Sequence, residues 1–256
     1  MFGKKYFVIR ELVVDMRMLR AQRDFMTNCR PSIAGTNSLA GLTRQSSRRA
    51  DVPVGGMAKR GLDLTLAVLG LLLLAPLILA LIIVLKLTDS GPLLYGHRRV
   101  GFAGREFRCW KFRTMVVNGD AVLDEHLRND PAKAALWNEQ RKLVDDPRVT
   151  PLGAVLRKLS LDELPQLLNV LAGEMSLVGP RPVVRAELDH YSSSTRHYLA
   201  ARPGLSGLWQ ISGRSNTTYL ERVQLDRFYV MNWNPWMDLR IIFMTIPAVA
   251  LSRGAH

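Results

Sequence analysis

One uninterrupted apolar stretch dominates the hydrophobic pattern of the chain. The 22 residues from Leu64 to Leu85 include no charged side chain. About 20 such residues are enough to cross the hydrocarbon core of a bilayer, and soluble core helices of this length normally keep a polar face. The pattern therefore predicts a helix that associates with a membrane.

Two features of this stretch favour a helix that enters the membrane and returns over one that crosses it. Pro76 lies near the middle, where a proline removes a backbone hydrogen bond and kinks a helix. Loops rich in Lys and Arg normally flank a spanning helix on one side only, but here basic residues lie on both sides: Arg44, Arg48, Arg49, Lys59 and Arg60 before it, and Lys86, Arg98, Arg99 and Arg105 after it. A single-pass helix is the alternative, since such helices tolerate proline.

After Gly91-Pro92 the pattern changes to that of a β-hairpin. Two short apolar and aromatic runs, 93–95 and 107–112, bracket a glycine-containing turn. Cations alternate there with Trp110 and Phe112. They are suited to a phosphate site or a lipid headgroup layer, and a solvated strand face is the simpler alternative.

Helical periodicity accounts for most of the remaining chain. It predicts helices over 118–129, 131–142, a short segment after Thr150, a segment that starts near residue 162, most of 183–201, and 219–233. The last apolar stretch, Asp238 to Leu251, is 14 residues long, which is short for a membrane span. It is interpreted as a helix lying in the membrane interface or as a buried core helix. The predicted fold class is thus mainly α with a small β-hairpin.

The charge of the chain favours anionic partners. Its formal net charge is +13, and residues 1–58 hold ten Lys and Arg against four Asp and Glu. Such a balance suits nucleic acid, an anionic membrane surface or phosphorylated substrates. No zinc-finger, RNA-binding or helix-turn-helix signature is present, so we expect no nucleic acid partner.

Three regions follow from these patterns. Residues 1–56 are predicted to be a basic, largely flexible extension, with or without a function; residues 57–90 are predicted to form the membrane helix, and residues 91–256 the folded domain that follows it. Two cysteines cannot provide a disulfide framework, and they fit a reducing compartment.

Candidate chemistry is concentrated between residues 157 and 182. The adjacent carboxylates Asp162 and Glu163 lie between Arg157 and Arg181 in the sequence. Carboxylates flanked by guanidinium groups suit a phosphate-containing substrate with a divalent cation. An equally simple interpretation is a helix start, in which Ser160 is the N-cap and the acids occupy the first turn.

Several ordered motifs together resemble the bacterial sugar transferase family, the monotopic phosphoglycosyltransferases. The resemblance covers about residues 57–256 and is strongest to undecaprenyl-phosphate galactose phosphotransferases that initiate exopolysaccharide synthesis. The motifs are Lys59-Arg60-x-x-Asp63, the proline-broken apolar helix, Lys111-Phe112-Arg113-Thr114-Met115, Asp146-Pro147-Arg148-Val149-Thr150, Leu156-Arg157, Ser160 to Gln166, Gly179-Pro180-Arg181-Pro182 and Arg202-Pro203-Gly204-Leu205-x-Gly207.

The resemblance implies a covalent mechanism. Asp162 would attack the β-phosphate of a UDP-sugar and release UMP, and the lipid phosphate would then attack the phosphosugar-aspartate. Glu163 would bind Mg²⁺, and Arg157 and Arg181 would clamp phosphate oxygens. The resemblance also places Lys111, Arg113 and Asp226 in the substrate site. A single-step transfer with Asp162 as a base stays open.

The resemblance further implies a location and a set of partners. The apolar helix would be a re-entrant hairpin broken at Ala75-Pro76, supported by interfacial amphipathic helices. The catalytic domain would lie on the cytoplasmic face of the bacterial inner membrane, in contact with membrane lipids. Its substrates would be undecaprenyl phosphate and a UDP-sugar, expected to be UDP-galactose, with glucose as the alternative. A homo-oligomer is left open, and a non-enzymatic membrane scaffold is the rival hypothesis.

Overall fold

The computed structural model describes residues 52–140, 143, 145–212 and 218–250, without the side chains at 136, 138–140 and 248–250. All of them belong to one compact unit, Arg48–His256. The predicted basic extension, residues 1–56, lies almost entirely outside the described residues.

The apolar stretch forms a single long helix, α1 (Gly56–Thr88). Within the described part of the chain, α1 alone is long and apolar enough to cross a membrane. The predicted break at Ala75-Pro76 does not divide it into two helices, because α-helical structure continues on both sides of Pro76. Loss of one backbone hydrogen bond is tolerated where both halves are held by other contacts. The re-entrant path stays a prediction.

The predicted β-hairpin is confirmed. Strands β1 (Leu94–Val100) and β2 (Glu106–Phe112) pair antiparallel, with Tyr95 opposite Lys111 and Arg98 opposite Arg108. Side chains alternate between the two faces of a strand. Phe107 and Cys109 are buried against α1 and its neighbours, while Arg98 and Arg108 are exposed on the hairpin.

Helices make up most of the remainder, as predicted, although their bounds differ. The segment predicted over 183–201 is divided because Ser192 has a φ of 45°, a conformation that interrupts helical geometry. The helices are α2 (Gly119–Asn129), α3 (Pro131–Gln140), α4 (Pro151–Lys158), α5 (Gln166–Ala172), α6 (Arg185–Leu188), α7 (Thr195–Leu199), α8 (Leu208–Ile211), α9 (Tyr219–Asn232) and α10 (Pro235–Ala250).

A second, two-stranded sheet was not predicted from the sequence. Strands β3 (Ser176–Val178) and β4 (Gly204–Ser206) pair in parallel. Three residues are too few to show a period of two. The close approach of the segments depends on Gly204, since a Cβ there would lie 2.1 Å from the backbone nitrogen of Gly179. The fold class is therefore mainly α with two small sheets.

Two apolar clusters attach α1 to the domain on either side of Pro76. In the first, Ala67 and Leu71 pack with residues of β2 and α5, among them Phe107 and Val170. In the second, Leu85 packs against Phe112, Leu156 and their partly buried neighbours Ile78, Leu81, Ile82, Leu161 and Leu164. Other side chains of α1, including Leu72, Leu73, Leu79 and Ile83, are exposed. Both halves of the helix therefore pack on the same domain and leave an apolar face uncovered.

The last helix, α10, has features of both predicted alternatives, a buried core helix and a helix in the membrane interface. Met237, Asp238 and Ile241 are buried in the domain, whereas Trp236 and Phe243 are exposed. One face is thus part of the core, and the other presents the aromatic residues that are typical of a membrane interface.

A buried polar network joins the start of α1 to α10. The Lys59 Nζ donates to Asp238 Oδ2 at 2.6 Å and lies 3.8 Å from Asp63. Asp238 also accepts from the hydroxyl of Tyr229 at 2.7 Å and from Trp233 Nε1 at 3.0 Å. Because these groups are almost fully buried, each depends on the others for its charge to be compensated.

Removing one member of this network is expected to destabilise the fold. In an Asp238→Asn variant, the buried ammonium of Lys59 keeps only the longer contact with Asp63. Breaking a buried pair in this way costs about 3–5 kcal/mol, which corresponds to a fall in Tm on the order of 10 °C for a domain of this size. Thermal unfolding of the full chain in neutral detergent measures this.

The matched control is Glu106→Ala, which breaks the exposed pair between Glu106 and Arg185. Exposed pairs contribute about 0–1 kcal/mol, so the Tm should change little. Equal shifts for both variants would show that the Lys59 network does not hold α1 to the domain.

Candidate active site

The two acids lie in a short 3-10 helix that precedes α5. Residues Leu161–Glu163 form a 3-10 turn, and α5 begins only at Gln166. Ser160 has a φ of 54°, and its side chain makes no capping hydrogen bond. Ser160 thus occupies the predicted N-cap position of this 3-10 helix, with both acids in its first turn, but its side chain does not form the capping hydrogen bond. A non-glycine residue in this conformation is uncommon and is found often at functional sites.

Lys111 lies beside both carboxylates. Its Nζ donates to Glu163 Oε1 at 2.6 Å and is 3.6 Å from Asp162 Oδ2. The cation comes from β2, about 50 residues earlier in the chain, so only the tertiary structure brings it to the acids. Asp162 is buried, with 7 % of its surface exposed, and Glu163 is more accessible.

The charges of this cluster depend on one another. Burial raises the pKa of Asp162 above its ordinary value, and the nearby Glu163 raises it further, whereas Lys111 and Arg157 lower it. Burial alone would lower the pKa of Lys111, but Glu163 and Asp162 outweigh it and raise that pKa. The net result is a firmly protonated lysine beside a carboxyl group that is harder to ionise than usual.

Arg157 reaches the same site from α4. The helix is capped by Thr150, whose Oγ1 accepts from the Gly153 N–H at 2.9 Å. Gly153 lies against Thr114, where a Cβ would come within 2.2 Å of the Thr114 carbonyl oxygen. This approach lets Arg157 Nε donate to Thr114 Oγ1 at 2.8 Å. The contact that anchors Arg157 on Thr114 was not predicted, because in the sequence Thr114 is only one residue of the motif from Lys111 to Met115.

Arg181 belongs to a second cluster. Its guanidinium group lies over the Trp209 ring at 5.1 Å, and Arg222 lies over the same ring at 5.4 Å. Among the described residues neither Asp162 nor Glu163 forms an ion pair with Arg181. The predicted phosphate clamp by Arg181 stays a prediction, and the structure adds Trp209 as its neighbour.

Asp226 contacts the backbone of this second cluster. It accepts from the Arg181 backbone N–H at 3.2 Å and from the Tyr191 hydroxyl at 2.7 Å. It is almost fully buried, and burial raises its pKa to about 7. These contacts are those of a residue that positions the loop containing Arg181, and its predicted contact with substrate stays a prediction.

Arg113 has a partner on the membrane helix. Its Nη2 lies 2.7 Å from Asp89, the residue that follows α1. Its guanidinium group also packs against Gly91, where a side chain would not fit. Arg113 thus joins the end of α1 to β2, one position after the buried Phe112. Its predicted role in substrate binding stays a prediction.

The donor set fits a magnesium ion that is shared with a substrate. The described residues contain no group of three or more His, Cys, Asp and Glu arranged to hold a metal. Mg²⁺ usually keeps several waters and binds one or two carboxylates together with substrate phosphates. Glu163, the more accessible carboxylate, and the adjacent Asp162 can provide one or two carboxylate ligands of this kind.

Comparisons with known proteins agree with this geometry. Residues 54–252 match the sequence profile described as bacterial sugar transferase. The chain is 56% identical over 80% of its length to the exopolysaccharide production protein ExoY of Sinorhizobium fredii, of which the match covers 90%. It is 49% identical over 77% of its length to the undecaprenyl-phosphate galactose phosphotransferase of Salmonella typhimurium, covering 41% of that protein.

A third relative differs in the sugar that its name states. The UDP-glucose:undecaprenyl-phosphate glucose-1-phosphate transferase of Escherichia coli is 38% identical over 80% of the chain, covering 44% of that protein. A domain packed on a long apolar helix, with adjacent acids beside a lysine, is compatible with the membrane-associated transferases that these relatives are named as. The predicted enzyme class is confirmed: the chain belongs to the bacterial sugar transferase family.

The position of Lys111 leads to a prediction about pH dependence. If ionised Asp162 is required, activity falls as the pH drops through its pKa. Lys111 lowers that pKa, so Lys111→Met should raise it and move the acidic limb of the kcat/KM profile to higher pH. Measuring UMP release from UDP-sugar between pH 4 and pH 9 tests this.

Lys111→Arg is the matched control, because it keeps a positive charge at the same position. Its acidic limb should stay closer to that of the unmodified protein, whatever the loss in absolute rate. An acidic limb that does not move in Lys111→Met would contradict the assignment of the limb to Asp162.

Proposed function

We propose that the chain transfers a hexose-1-phosphate from a UDP-sugar to undecaprenyl phosphate and releases UMP, as the first membrane step of exopolysaccharide synthesis. The relatives are named for exopolysaccharide production and for transfer to undecaprenyl phosphate. The observation that carries the proposal is the buried Asp162 beside Glu163 and Lys111, at a site built directly on the apolar helix.

The apolar helix and the chemistry are connected through shared neighbours. The cluster around Leu85 contains Phe112, Leu156 and Leu161. These residues are next to Lys111, Arg157 and Asp162 in the chain. Each apolar side chain is buried or partly buried in the cluster that contains Leu85, while its neighbour in the chain supplies a charged group. This packing supports a site where a soluble nucleotide and a lipid phosphate meet.

In the first step Asp162 acts as the nucleophile. A carboxylate oxygen attacks the β-phosphorus of the UDP-sugar, and the bond from that phosphorus to the bridging oxygen breaks. UMP leaves with the bonding electrons, and the sugar phosphate is held on Asp162 as an acyl phosphate. Covalent catalysis of this kind divides one difficult transfer into two steps.

The positive groups of the site compensate the charge of the pyrophosphate. Lys111 and Arg157 surround Asp162, which would otherwise repel an anionic substrate. Arg157 provides planar donors suited to two phosphate oxygens, and Lys111 provides a compact charge. A bound Mg²⁺ on Glu163 would neutralise charge on the phosphates.

In the second step the lipid phosphate replaces Asp162. An oxygen of undecaprenyl phosphate attacks the phosphorus of the acyl phosphate, and the bond to Asp162 breaks. The carboxylate is regenerated, and the product is a polyprenyl diphosphate sugar. The exposed apolar face of α1 lies beside the site and suits the isoprenoid chain.

A re-entrant path of α1 in the cytoplasmic leaflet accounts for its contacts. A helix of 33 residues is about 50 Å long. Both Ala67, before Pro76, and Leu85, after it, pack on the same domain. A straight crossing would draw that domain, with its charged site, into the hydrocarbon core. We therefore favour a bacterial inner-membrane protein whose catalytic domain lies on the cytoplasmic face.

We propose galactose as the sugar. The galactose-named relative from Salmonella is more similar to the chain than the glucose-named relative from Escherichia coli, at 49% against 38% identity. The two sugars differ in one hydroxyl epimer, which a site distinguishes through hydrogen bonds. UMP release from a panel of UDP-sugars with undecaprenyl phosphate tests this choice.

The nucleophile assignment predicts a specific loss. Asp162→Asn keeps the shape of the side chain but removes the attacking carboxylate, so UMP release should fall by several orders of magnitude. Mass spectrometry should detect a phosphosugar adduct on Asp162 when the unmodified protein meets UDP-sugar alone, and none in the variant.

Asp124→Asn is the control, since Asp124 is an exposed carboxylate on α2. It should turn over normally and form the adduct. Activity without any adduct would favour single-step transfer with Asp162 as a base. Undiminished turnover in Asp162→Asn would sink the proposed mechanism, whereas no turnover by the unmodified protein would favour the scaffold role.

The re-entrant path predicts that both ends of α1 face the cytoplasm. In a background without Cys29 and Cys109, single cysteines at Met57 and Leu87, which are 83% and 81% exposed, should react with an impermeant thiol reagent from the same side of the membrane. Inside-out and right-side-out vesicles separate the two sides. Labelling from opposite sides would reject the hairpin.

A further inference from the structure

A pocket on the outer face of the β1–β2 hairpin takes no part in the proposed transfer. Its volume is about 380 Å³, and charged residues of both signs line it together with aromatic rings. The lining residues are Arg98, Glu106, Phe107, Arg108, Trp110 and Glu174. Lys111, the hairpin residue that reaches the acids, is not among them.

The two arginines of this pocket are held together at an energetic cost. Arg98 and Arg108 are directly opposite each other in the antiparallel register and are both exposed. Like charges in this arrangement destabilise a sheet. Among the described residues, neither arginine has a carboxylate within ion-pair distance. A phosphate group between them would remove the repulsion and accept hydrogen bonds from both.

The carboxylates of the pocket already have other partners. Glu106 pairs with Arg185 at 3.2 Å, and Glu174 accepts from Asn169 Nδ2 at 2.6 Å through Oε2. The second oxygen of Glu174 is left to accept from a ligand. The pocket thus offers two guanidinium groups for an anion and a carboxylate for a cation.

Trp110 adds a surface for a cation. It lies opposite Gly96 in the hairpin, and a Cβ at Gly96 would come within 2.9 Å of the indole ring. Because position 96 has no side chain, the indole ring packs closely over Gly96, and Trp110 lines the pocket. An ammonium group is attracted to the face of such a ring.

The pocket lies at the level where α1 enters its apolar stretch. Phe107 packs in the same cluster as Ala67 of α1. Arg60, which precedes the stretch, donates to the carbonyls of Val170 and Leu171 at the end of α5. Glu174 lies two residues after the end of α5. If α1 is embedded as proposed above, the pocket faces the headgroup layer.

We propose that this pocket binds the headgroup of a membrane phospholipid that carries both a phosphate and a primary ammonium group. The phosphate lies between Arg98 and Arg108. The ammonium group donates to Glu174 and lies against Trp110. The proposal rests on the membrane placement of α1, and it gives the hairpin a separate contact with the bilayer that fixes the height of the catalytic site.

Thermal unfolding of the full chain in neutral detergent tests the proposal. Added phosphatidylethanolamine should raise the Tm of the unmodified protein by about 2–4 °C, since a ligand that binds only the folded state stabilises it. Phosphatidylglycerol, phosphatidylcholine and free glycerophosphoethanolamine are compared at equal concentration, and each should raise the Tm less.

The variants distinguish a built pocket from general lipid effects. Arg98→Gln with Arg108→Gln should have a higher Tm in detergent alone, because the repulsion is gone, and should gain nothing from phosphatidylethanolamine. Arg128→Gln with Lys133→Gln changes the net charge equally on α2 and α3 and should respond as the unmodified protein does. Glu174→Gln should respond equally to phosphatidylethanolamine and phosphatidylcholine.

Several results would overturn the proposal. One is an unchanged response to phosphatidylethanolamine in the double arginine variant. Another is stabilisation of the unmodified protein by phosphatidylglycerol or inorganic phosphate as large as that by phosphatidylethanolamine, which would show a site for phosphate alone. Because no sugar nucleotide takes part, either result leaves the proposed transfer reaction intact.

Discussion

The buried pair between Lys59 and Asp238 is the contact on which the position of the apolar helix depends. A charged ammonium group at the start of α1 lies almost fully buried and 2.6 Å from a carboxylate on the last helix. Such a pair tolerates little displacement, because either charge would be left uncompensated in a medium of low dielectric. With this end fixed, the direction of α1 across the domain is set, and its apolar stripe meets first β2 and α5, then the cluster around Leu85.

The proposed catalytic residues depend on that second cluster. Phe112, Leu156 and Leu161 are buried or partly buried beside Leu85, and each precedes or follows a charged residue of the site. The apolar side chains supply the free energy of burial, and the charged neighbours are carried to the surface of the same core. The acids, the lysine and Arg157 are therefore positioned by the same apolar cluster that packs against the membrane helix. This arrangement would hold the proposed reaction between a soluble and a lipid substrate at an apolar surface.

Much of this was predictable because its causes are local. The absence of charge between Leu64 and Leu85 predicts a membrane helix whatever the tertiary fold. The run from Thr150 to Gly153 predicts the capped start of α4, and alternation around the glycine turn predicts the hairpin. The acids at 162 and 163 were found from composition and motif order. A helical turn does start after Ser160, but Ser160 makes no side-chain cap, and its backbone adopts a positive φ that the residue type alone does not indicate.

The sequence by itself determined the family, the apolar helix, the hairpin and most of the other helices, and it predicts the acid pair as the centre of the site. These follow from residue types, spacing and order, which act over a few positions. Only the tertiary structure decided that Lys111 and not Arg181 contacts the acids, that Arg181 stacks on Trp209, and that β3 pairs with β4. Those contacts join residues 28 to 52 positions apart. These contacts are stabilised by packing and by charge interactions between distant residues, so no pattern over a few neighbouring positions predicts them.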